Sequence, residues 1–108
     1  MSISYKRHLN NDENDRVEFL MINFDYIDGN DLLAKYFNEV YGMVAETKLD
    51  GVYYSVIKLH LENTEYDLVW HEDIGNYLYS IQQDNATIDL LENRLKCIIT
   101  KINEQLID

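Results

Sequence analysis

Two strands are predicted by the pattern of apolar and polar positions near the N-terminus. Residues 3–9 alternate weakly, which predicts a short edge strand, and the charged pair Lys6 and Arg7 would discourage a foreign strand from pairing there. The polar residues 10–15 predict a loop, because Asn and Asp side chains form hydrogen bonds with the nearby backbone. Residues 17–26 are apolar on both faces, which is typical of a central strand.

A helix is predicted next, because Leu33, Phe37 and Val40 recur at intervals of three or four residues. Its expected N-cap is Asn30 or Asp31, since short polar side chains accept hydrogen bonds from the first backbone amides of a helix. Its expected end is Gly42, since glycine tolerates the left-handed conformation that follows the last helical turn.

The C-terminal segment predicts a second, longer amphipathic helix that Asp84 or Asn85 would cap. A helix of about 22 residues is roughly 33 Å long, which is enough to cross four strands. Its apolar stripe consists of Ile88, Leu91, Leu95, Ile98 and Ile102.

Three turns predict an antiparallel meander between the two helices. Asp50-Gly51 is a strong hairpin signal, which would place Leu49 opposite Val52. Asn63-Thr64 is a weaker turn, which would place Glu62 opposite Glu65 and His60 opposite Asp67. Residues 72–75 predict a four-residue loop, which would place His71 opposite Asn76.

This register sorts the side chains of the meander onto two faces of the sheet. One face would carry most of the large aromatic residues and be covered by the long helix: Tyr53, Ile57, Leu59, Leu61, Tyr66, Leu68, Trp70, Tyr77, Tyr79 and Ile81. The other face would carry Val52, Tyr54, Val56, Lys58, His60, Glu65, Asp67, Val69, His71, Asn76, Leu78, Ser80 and Gln82. The sequence therefore predicts an α+β fold, an antiparallel β-meander of about four to six strands packed on one face by a long C-terminal helix and a shorter helix.

The length of 108 residues fits a single domain, 1–108. The net charge of −11 disfavours direct binding to nucleic acid or to anionic lipid, because both need Lys and Arg. The same charge favours association with a basic protein, although acidity also serves solubility. A single cysteine, Cys97, excludes an internal disulfide and the absence of an N-terminal signal pattern fits a reducing cytoplasm.

A patch around Tyr54 on the second face is the candidate site for a partner. Tyrosine and valine would lie there among charged side chains, and apolar patches with polar rims mark interaction sites. The alternative is that the first strand segment or a loop covers this face. The predicted partner-binding residues are Tyr54, Lys58, Glu62, Glu65, Asp67, Val69, His71, Glu72 and Asp73.

No catalytic residues, metal ligands or cofactor sites are predicted. The four glycines are isolated, so no phosphate-binding loop occurs. His60 and His71 would lie about 13 Å apart on the sheet, too far to share a metal ion. An enzyme would need a deep pocket lined by His60, His71 or Cys97.

The leading functional hypothesis is a small acidic binding protein that inhibits or neutralises a basic protein, including one that itself binds nucleic acid, by occupying its site. Phage counter-defence proteins and bacterial immunity proteins or antitoxins act in this style. The alternative is a structural or regulatory homodimer formed through the C-terminal helix, whose second, weakly apolar side carries Leu90, Cys97 and Ile107.

Overall fold

The computed structural model describes residues 2–24 and 28–106, which form six strands and two α-helices. The strands are β1 (Ser4–Asn10), β2 (Arg16–Ile22), β3 (Val44–Asp50), β4 (Tyr54–Leu61), β5 (Thr64–His71) and β6 (Gly75–Ser80). The helices are α1 (Gly29–Tyr41), between β2 and β3, and α2 (Asn85–Leu106), after β6. One turn of 3₁₀ helix (Asn11–Glu13) connects β1 to β2.

All six strands form one antiparallel sheet in the order β1-β2-β6-β5-β4-β3. The strands from β3 to β6 are the predicted meander, and β1 with β2 forms a separate hairpin. Phe19 pairs with Leu78 and Leu20 with Tyr77, which joins that hairpin to β6. The α+β prediction is confirmed, and so are the edge position of β1 and the internal position of β2. Residues 25 and 26, at the end of the predicted second strand, lie outside the described residues.

Both helices pack on one face of the sheet, which we call the helix face. Ile57, Leu59, Leu68 and Leu78 alternate towards it and are buried. The predicted stripe of α2 is buried against them throughout: Ile88, Leu91, Leu95, Ile98 and Ile102. This stripe is therefore part of the protein's own core, and a dimer through α2 would have to use its outer side, where Leu90 and Cys97 are exposed and Ile107 lies outside the described residues.

The helix ends lie at the capping residues that the sequence predicts, except at the start of α1. Gly42 ends α1 with a φ of +77°, as predicted. Asp84 caps α2, since its carboxylate accepts a 3.0 Å hydrogen bond from the backbone N–H of Thr87. The predicted caps of α1 are wrong, because this helix begins at Gly29 and Asp28 holds the cap position. Glycine is needed at its start, because a Cβ there would lie 2.7 Å from the Phe24 ring.

Two of the three predicted hairpin registers are wrong by an even number of residues. At the first hairpin, Asp50 pairs with Ser55, whereas the sequence predicts Leu49 opposite Val52. Ser55 Oγ donates a hydrogen bond to Asp50 Oδ1 at 2.8 Å, and residues 51–53 form the loop. Leu61 pairs with Thr64, so that the turn lies at Glu62 and Asn63. Because side chains alternate with a period of two, these shifts leave β4 and β5 on their predicted faces.

The third register is wrong by one residue, which reverses β6. His71 pairs with Gly75, not with Asn76, because Gly75 adopts a φ of +91° and enters the strand immediately after a three-residue loop. Tyr77 and Tyr79 therefore lie on the face opposite the helices, and Leu78 lies in the core. The aromatic residues are divided between the two faces instead of gathering under α2. Asn76 and Ser80 also move to the helix face.

Candidate interaction surface

The face opposite the helices, which we call the open face, carries six of the nine predicted site residues. Tyr54 and Lys58 come from β4, and the others from β5: Glu65, Asp67, Val69 and His71. Tyr54 pairs with His71 and Lys58 with Asp67. The described N-terminal residues do not cover this face, because they form the edge strand β1 of the sheet. The alternative that the first strand lies over the patch is wrong.

The remaining three predicted residues lie in turns at opposite ends of the sheet. Glu62 is in the β4–β5 turn, and Glu72 and Asp73 are in the β5–β6 loop. The eight residues of β5 separate these turns by roughly 26 Å at about 3.3 Å per residue. The nine residues therefore do not form one cluster. Six lie on the open face, and the two ends of the sheet, with Glu62 at one and Glu72 and Asp73 at the other, form two distinct surfaces. His60 faces Glu65 instead of the predicted Asp67.

The first surface is an acidic end, where residues 82 and 83 join two turns that are distant in sequence. Gln83 Oε1 accepts a 2.8 Å hydrogen bond from Val17 N, next to the β1–β2 turn. The neighbouring Gln82 donates through Nε2 to Asn63 O in the β4–β5 turn at 2.9 Å. The acidic end is defined by seven exposed residues: Asp12, Glu13, Asp15, Glu46, Glu62, Glu65 and Asp84.

The bases beside the acidic end are engaged with buried carboxylates of the open face. Arg16 Nη2 lies 2.6 Å from Glu18 Oε2, and Lys58 Nζ lies 3.2 Å from Asp67 Oδ1. Glu18 and Asp67 are 3% and 6% exposed. Within each pair the two charges cancel. Two members of the acidic end also have basic neighbours, since Glu13 Oε2 lies 3.9 Å from Arg16 Nη1 and Glu46 Oε1 lies 2.5 Å from His60 Nδ1, and the other five exposed carboxylates keep a negative potential of their own.

A buried network continues from these pairs across the open face. Tyr79 donates its hydroxyl to Asp67 Oδ2 at 2.8 Å, and the Arg16 guanidinium carbon lies 3.7 Å from the centre of the Tyr79 ring. Burial, and then the hydrogen bond to Asp67, raise the pKa of Tyr79 well above its ordinary value. Asp67 therefore organises its neighbours and exposes little surface of its own.

An apolar row crosses the open face beside this network. One residue from each of five neighbouring strands contributes, since the paired positions run in the order Leu49, Val56, Val69, Tyr77 and Leu20. Leu78, which the sequence placed in the patch, is replaced by Tyr77. Leu49 at the β3 edge is the exposed member, whereas Val69 at the centre is buried.

The second surface, the tyrosine end, lies at the opposite end of the sheet from the acidic end. It combines the β3–β4 loop with the β5–β6 loop, which meet where Glu72 N donates to Tyr53 O at 2.9 Å. We define it by five exposed apolar or aromatic residues: Leu49, Val52, Tyr53, Tyr54 and Ile74. Of these, the sequence predicted Tyr54 alone as a site residue. The available signal was that Val52, Tyr53 and Ile74 are large apolar residues in turns, where polar residues are usual.

The titratable residues that an enzyme would need are dispersed. His60 Nδ1 lies 2.5 Å from Glu46 Oε1, the extra residue of a bulge in β3. His71 lies at the other end of the β4–β5 hairpin and accepts a 3.1 Å bond from Asp73 N. Cys97 is exposed on α2. Within the described part of the chain, no group of three or more His, Cys, Asp or Glu is arranged to hold a metal ion.

Of the helices among residues 2–24 and 28–106, none has the length and apolar character needed to cross a membrane. Comparisons of the chain with protein-family models, with curated protein sequences and with solved structures found no match.

Proposed function

We propose that the protein binds a basic, nucleic-acid-binding protein and neutralises it by occupying the site that receives the phosphate backbone. The observation that carries this proposal is the collection of seven exposed carboxylates at the acidic end, beside bases that are already paired. Phage counter-defence proteins, immunity proteins and antitoxins work in this manner. The reducing cytoplasm is the proposed compartment, where the single cysteine would stay free.

The mechanism requires carboxylates where the partner expects phosphates. Lys and Arg of a nucleic-acid-binding groove gain affinity by neutralising phosphate charge, and a rigid array of carboxylates offers the same type of neutralisation. The acidic end is held by β-sheet and by the Gln82 and Gln83 hydrogen bonds, so its charges are pre-positioned. Exposed charges are screened beyond about 8 Å at physiological ionic strength, so binding of this kind must weaken with salt.

The test is affinity purification of the tagged protein from its native host at low and at high salt. We expect a basic protein to be captured at low salt, to be lost at high salt, and to be displaced by duplex DNA. The variant Glu62→Gln/Glu65→Gln should capture less of it. The matched control is Glu39→Gln/Glu104→Gln, which removes the same charge from exposed helix positions and should capture as much as wild type.

The proposal fails if the captured partner is not basic, if duplex DNA does not compete with it, or if the two variants lose the partner equally. Equal loss would show that total charge, and not the acidic end, governs the association.

A further inference from the structure

We propose that the tyrosine end is an anchoring surface that inserts into an apolar pocket with a cationic rim on the same partner. This inference rests on the proposed function and adds a second contact to it. Five of the eleven exposed large hydrophobic residues in the described part of the chain lie here: Val52 at 85%, Tyr53 at 60%, Ile74 at 57%, and Leu49 and Tyr54 at 48% each. Apolar patches of this kind, with a polar rim, mark interaction sites.

Hydrogen bonds give the two loops a defined shape. Gly51 N donates to Tyr54 O at 2.7 Å, and Ile74 N donates to His71 O at 3.1 Å. The bond from Glu72 N to Tyr53 O then ties one loop to the other. The Tyr54 ring lies directly over Gly51, where an added Cβ would approach it to 2.3 Å. Because the loops are ordered before any partner arrives, little further entropy is lost when a partner immobilises them.

The residue types at the tyrosine end suit an anchor. Tyrosine is enriched among the residues that contribute most to binding, because its large ring buries area while its hydroxyl keeps a polar contact. Tyr53 and Tyr54 follow Val52 in the chain, and Ile74 lies in the loop that the bond from Glu72 N to Tyr53 O ties to them. If a pocket of the partner excludes water around these side chains, they would therefore supply most of the binding free energy of the contact from a small area.

Charge decides what kind of molecule can approach this surface. Glu72 and Asp73 are exposed beside it, and neither loop, 51–53 or 72–74, contains Lys or Arg. A second copy would bring another tyrosine end with its own carboxylates, on a chain of net charge −11. Nucleic acid and anionic lipid carry the same sign of charge as the rim. A protein surface with apolar side chains framed by Lys or Arg is the complementary occupant.

The two surfaces should act on different steps of binding. Charges act over distance and set the rate of encounter, whereas close apolar contacts form late and set the rate of dissociation. The acidic end and the tyrosine end lie roughly 26 Å apart along the strands, so a partner touching both must span the sheet. The apolar row of the open face crosses the strands between them.

Photo-cross-linking in the native host tests this placement. Benzoylphenylalanine, a photoreactive amino acid, is incorporated in place of Tyr53, in place of Glu65 and, as a control, in place of Leu90, which is exposed on the outer side of α2. We expect one basic protein to cross-link from positions 53 and 65 and not from position 90. The protein identified in this way is then purified for kinetic measurements.

The kinetic variants are Tyr53→Ala/Ile74→Ala for the tyrosine end and Glu62→Gln/Glu65→Gln for the acidic end. The first should raise the dissociation rate constant about tenfold or more and leave the association rate constant within about twofold. The second should chiefly lower the association rate constant, by about threefold to tenfold at low salt. Thermal unfolding of each variant confirms that it folds.

The outcomes separate this inference from the function on which it rests. A basic protein that cross-links from position 65 but not from position 53 overturns the anchor and leaves the proposed function standing. An adduct from position 53 with a second copy, or with a protein that is not basic, also overturns the anchor. If no basic protein cross-links from position 53 or from position 65, both the anchor and the proposed function are overturned.

Discussion

The two faces of this sheet are built from the same six strands, but their side chains are buried in different ways. On the helix face, apolar side chains such as Leu59 and Leu68 lie beneath α1 and α2 and are almost completely buried. On the open face, Asp67, Glu18 and Tyr79 are buried to 6%, 3% and 9% exposure without a helix above them, because they pack against one another and against Arg16. The contrast indicates that stability is concentrated on one face, which leaves the rims of the other free to carry exposed charges and tyrosines.

The largest expected effect follows from replacing one residue of the helix face. Leu68→Ala should lower the free energy of unfolding by about 3 kcal/mol, because it opens a cavity at a fully buried position. Tyr54→Ala, one strand away on the open face, should cost less than about 1 kcal/mol, since the side chain is 48% exposed. Urea unfolding measures both. Equal losses would contradict the division of stability between the two faces.

The next effect concerns the network of the open face. Asp67→Ala should cost about 2 kcal/mol, because it leaves the buried Tyr79 hydroxyl and the Lys58 ammonium group without their hydrogen-bond acceptor. Glu65→Ala, two residues away, removes an exposed carboxylate and should change stability by less than about 0.5 kcal/mol. Chemical denaturation of the two variants tests whether the buried carboxylate stabilises this face; if Asp67→Ala is as mild as Glu65→Ala, it does not.

A smaller effect, with a pH dependence, is expected where β1 meets α2. Glu92 accepts hydrogen bonds from the Tyr5 hydroxyl at 2.6 Å and from Arg7 Nη1 at 2.8 Å, and these contacts lower the pKa of Glu92, the one to Tyr5 most. Glu92→Gln should therefore cost about 1 kcal/mol at neutral pH. Unfolding measured at a series of pH values provides the test.

The sign of this pH dependence follows from the lowered pKa. The folded state holds the Glu92 proton less tightly than the unfolded state, so the stabilisation is complete above the ordinary glutamate pKa and is lost as the pH falls through the lower folded-state pKa. The difference between wild type and Glu92→Gln should therefore shrink in acid. On the alkaline side, burial and then the hydrogen bond to Glu92 raise the pKa of Tyr5 to about 12, so the stabilisation from neutral Tyr5 should decline above its ordinary pKa of 10.0. A difference that is independent of pH would contradict this account.

The smallest expected effect lies in the β4–β5 turn. Glu62 has a φ of +56°, a conformation that side chains with a Cβ adopt at a cost. Glu62→Gly should therefore raise the free energy of unfolding by about 0.5 kcal/mol, and with it the unfolding midpoint, after allowing for the greater freedom of glycine in the unfolded chain. Glu65→Gly, in the adjoining extended strand, is the control and should lower it. A loss of stability in both variants would show that the turn stores no strain.

The elements of the fold could be predicted from sequence because they depend on neighbours in the chain. The period of α2 and the caps at Gly42 and Asp84 are local signals, and all three are confirmed. The exact register of the hairpins was harder to predict from sequence, because turn residues such as Asp50 and Gly51 suit loops of more than one length. The shift at Gly75 mattered most, since one residue was enough to turn Tyr77 and Tyr79 to the other face.

The two surfaces were harder to predict than the elements. The acidic end joins the β1–β2 turn to the β4–β5 turn through Gln82 and Gln83, and this meeting depends on the pairing of β2 with β6, which no local pattern specifies. The tyrosine end depends on the approach of two loops to each other. The sequence indicated which residue types were available, while the tertiary pairing decided their neighbours.

The pairing between β2 and β6 also has a consequence for synthesis on the ribosome. Phe19 and Leu20 leave the exit tunnel before β3, β4 and β5, but their partners Leu78 and Tyr77 emerge only with β6, the last strand of the meander. Until then, β1 and β2 are an isolated two-stranded hairpin, which is marginally stable in water. We therefore expect the nascent chain to gain protection from proteases first in β3, β4 and β5, and the hairpin of β1 and β2 to stay cleavable until β6 has emerged.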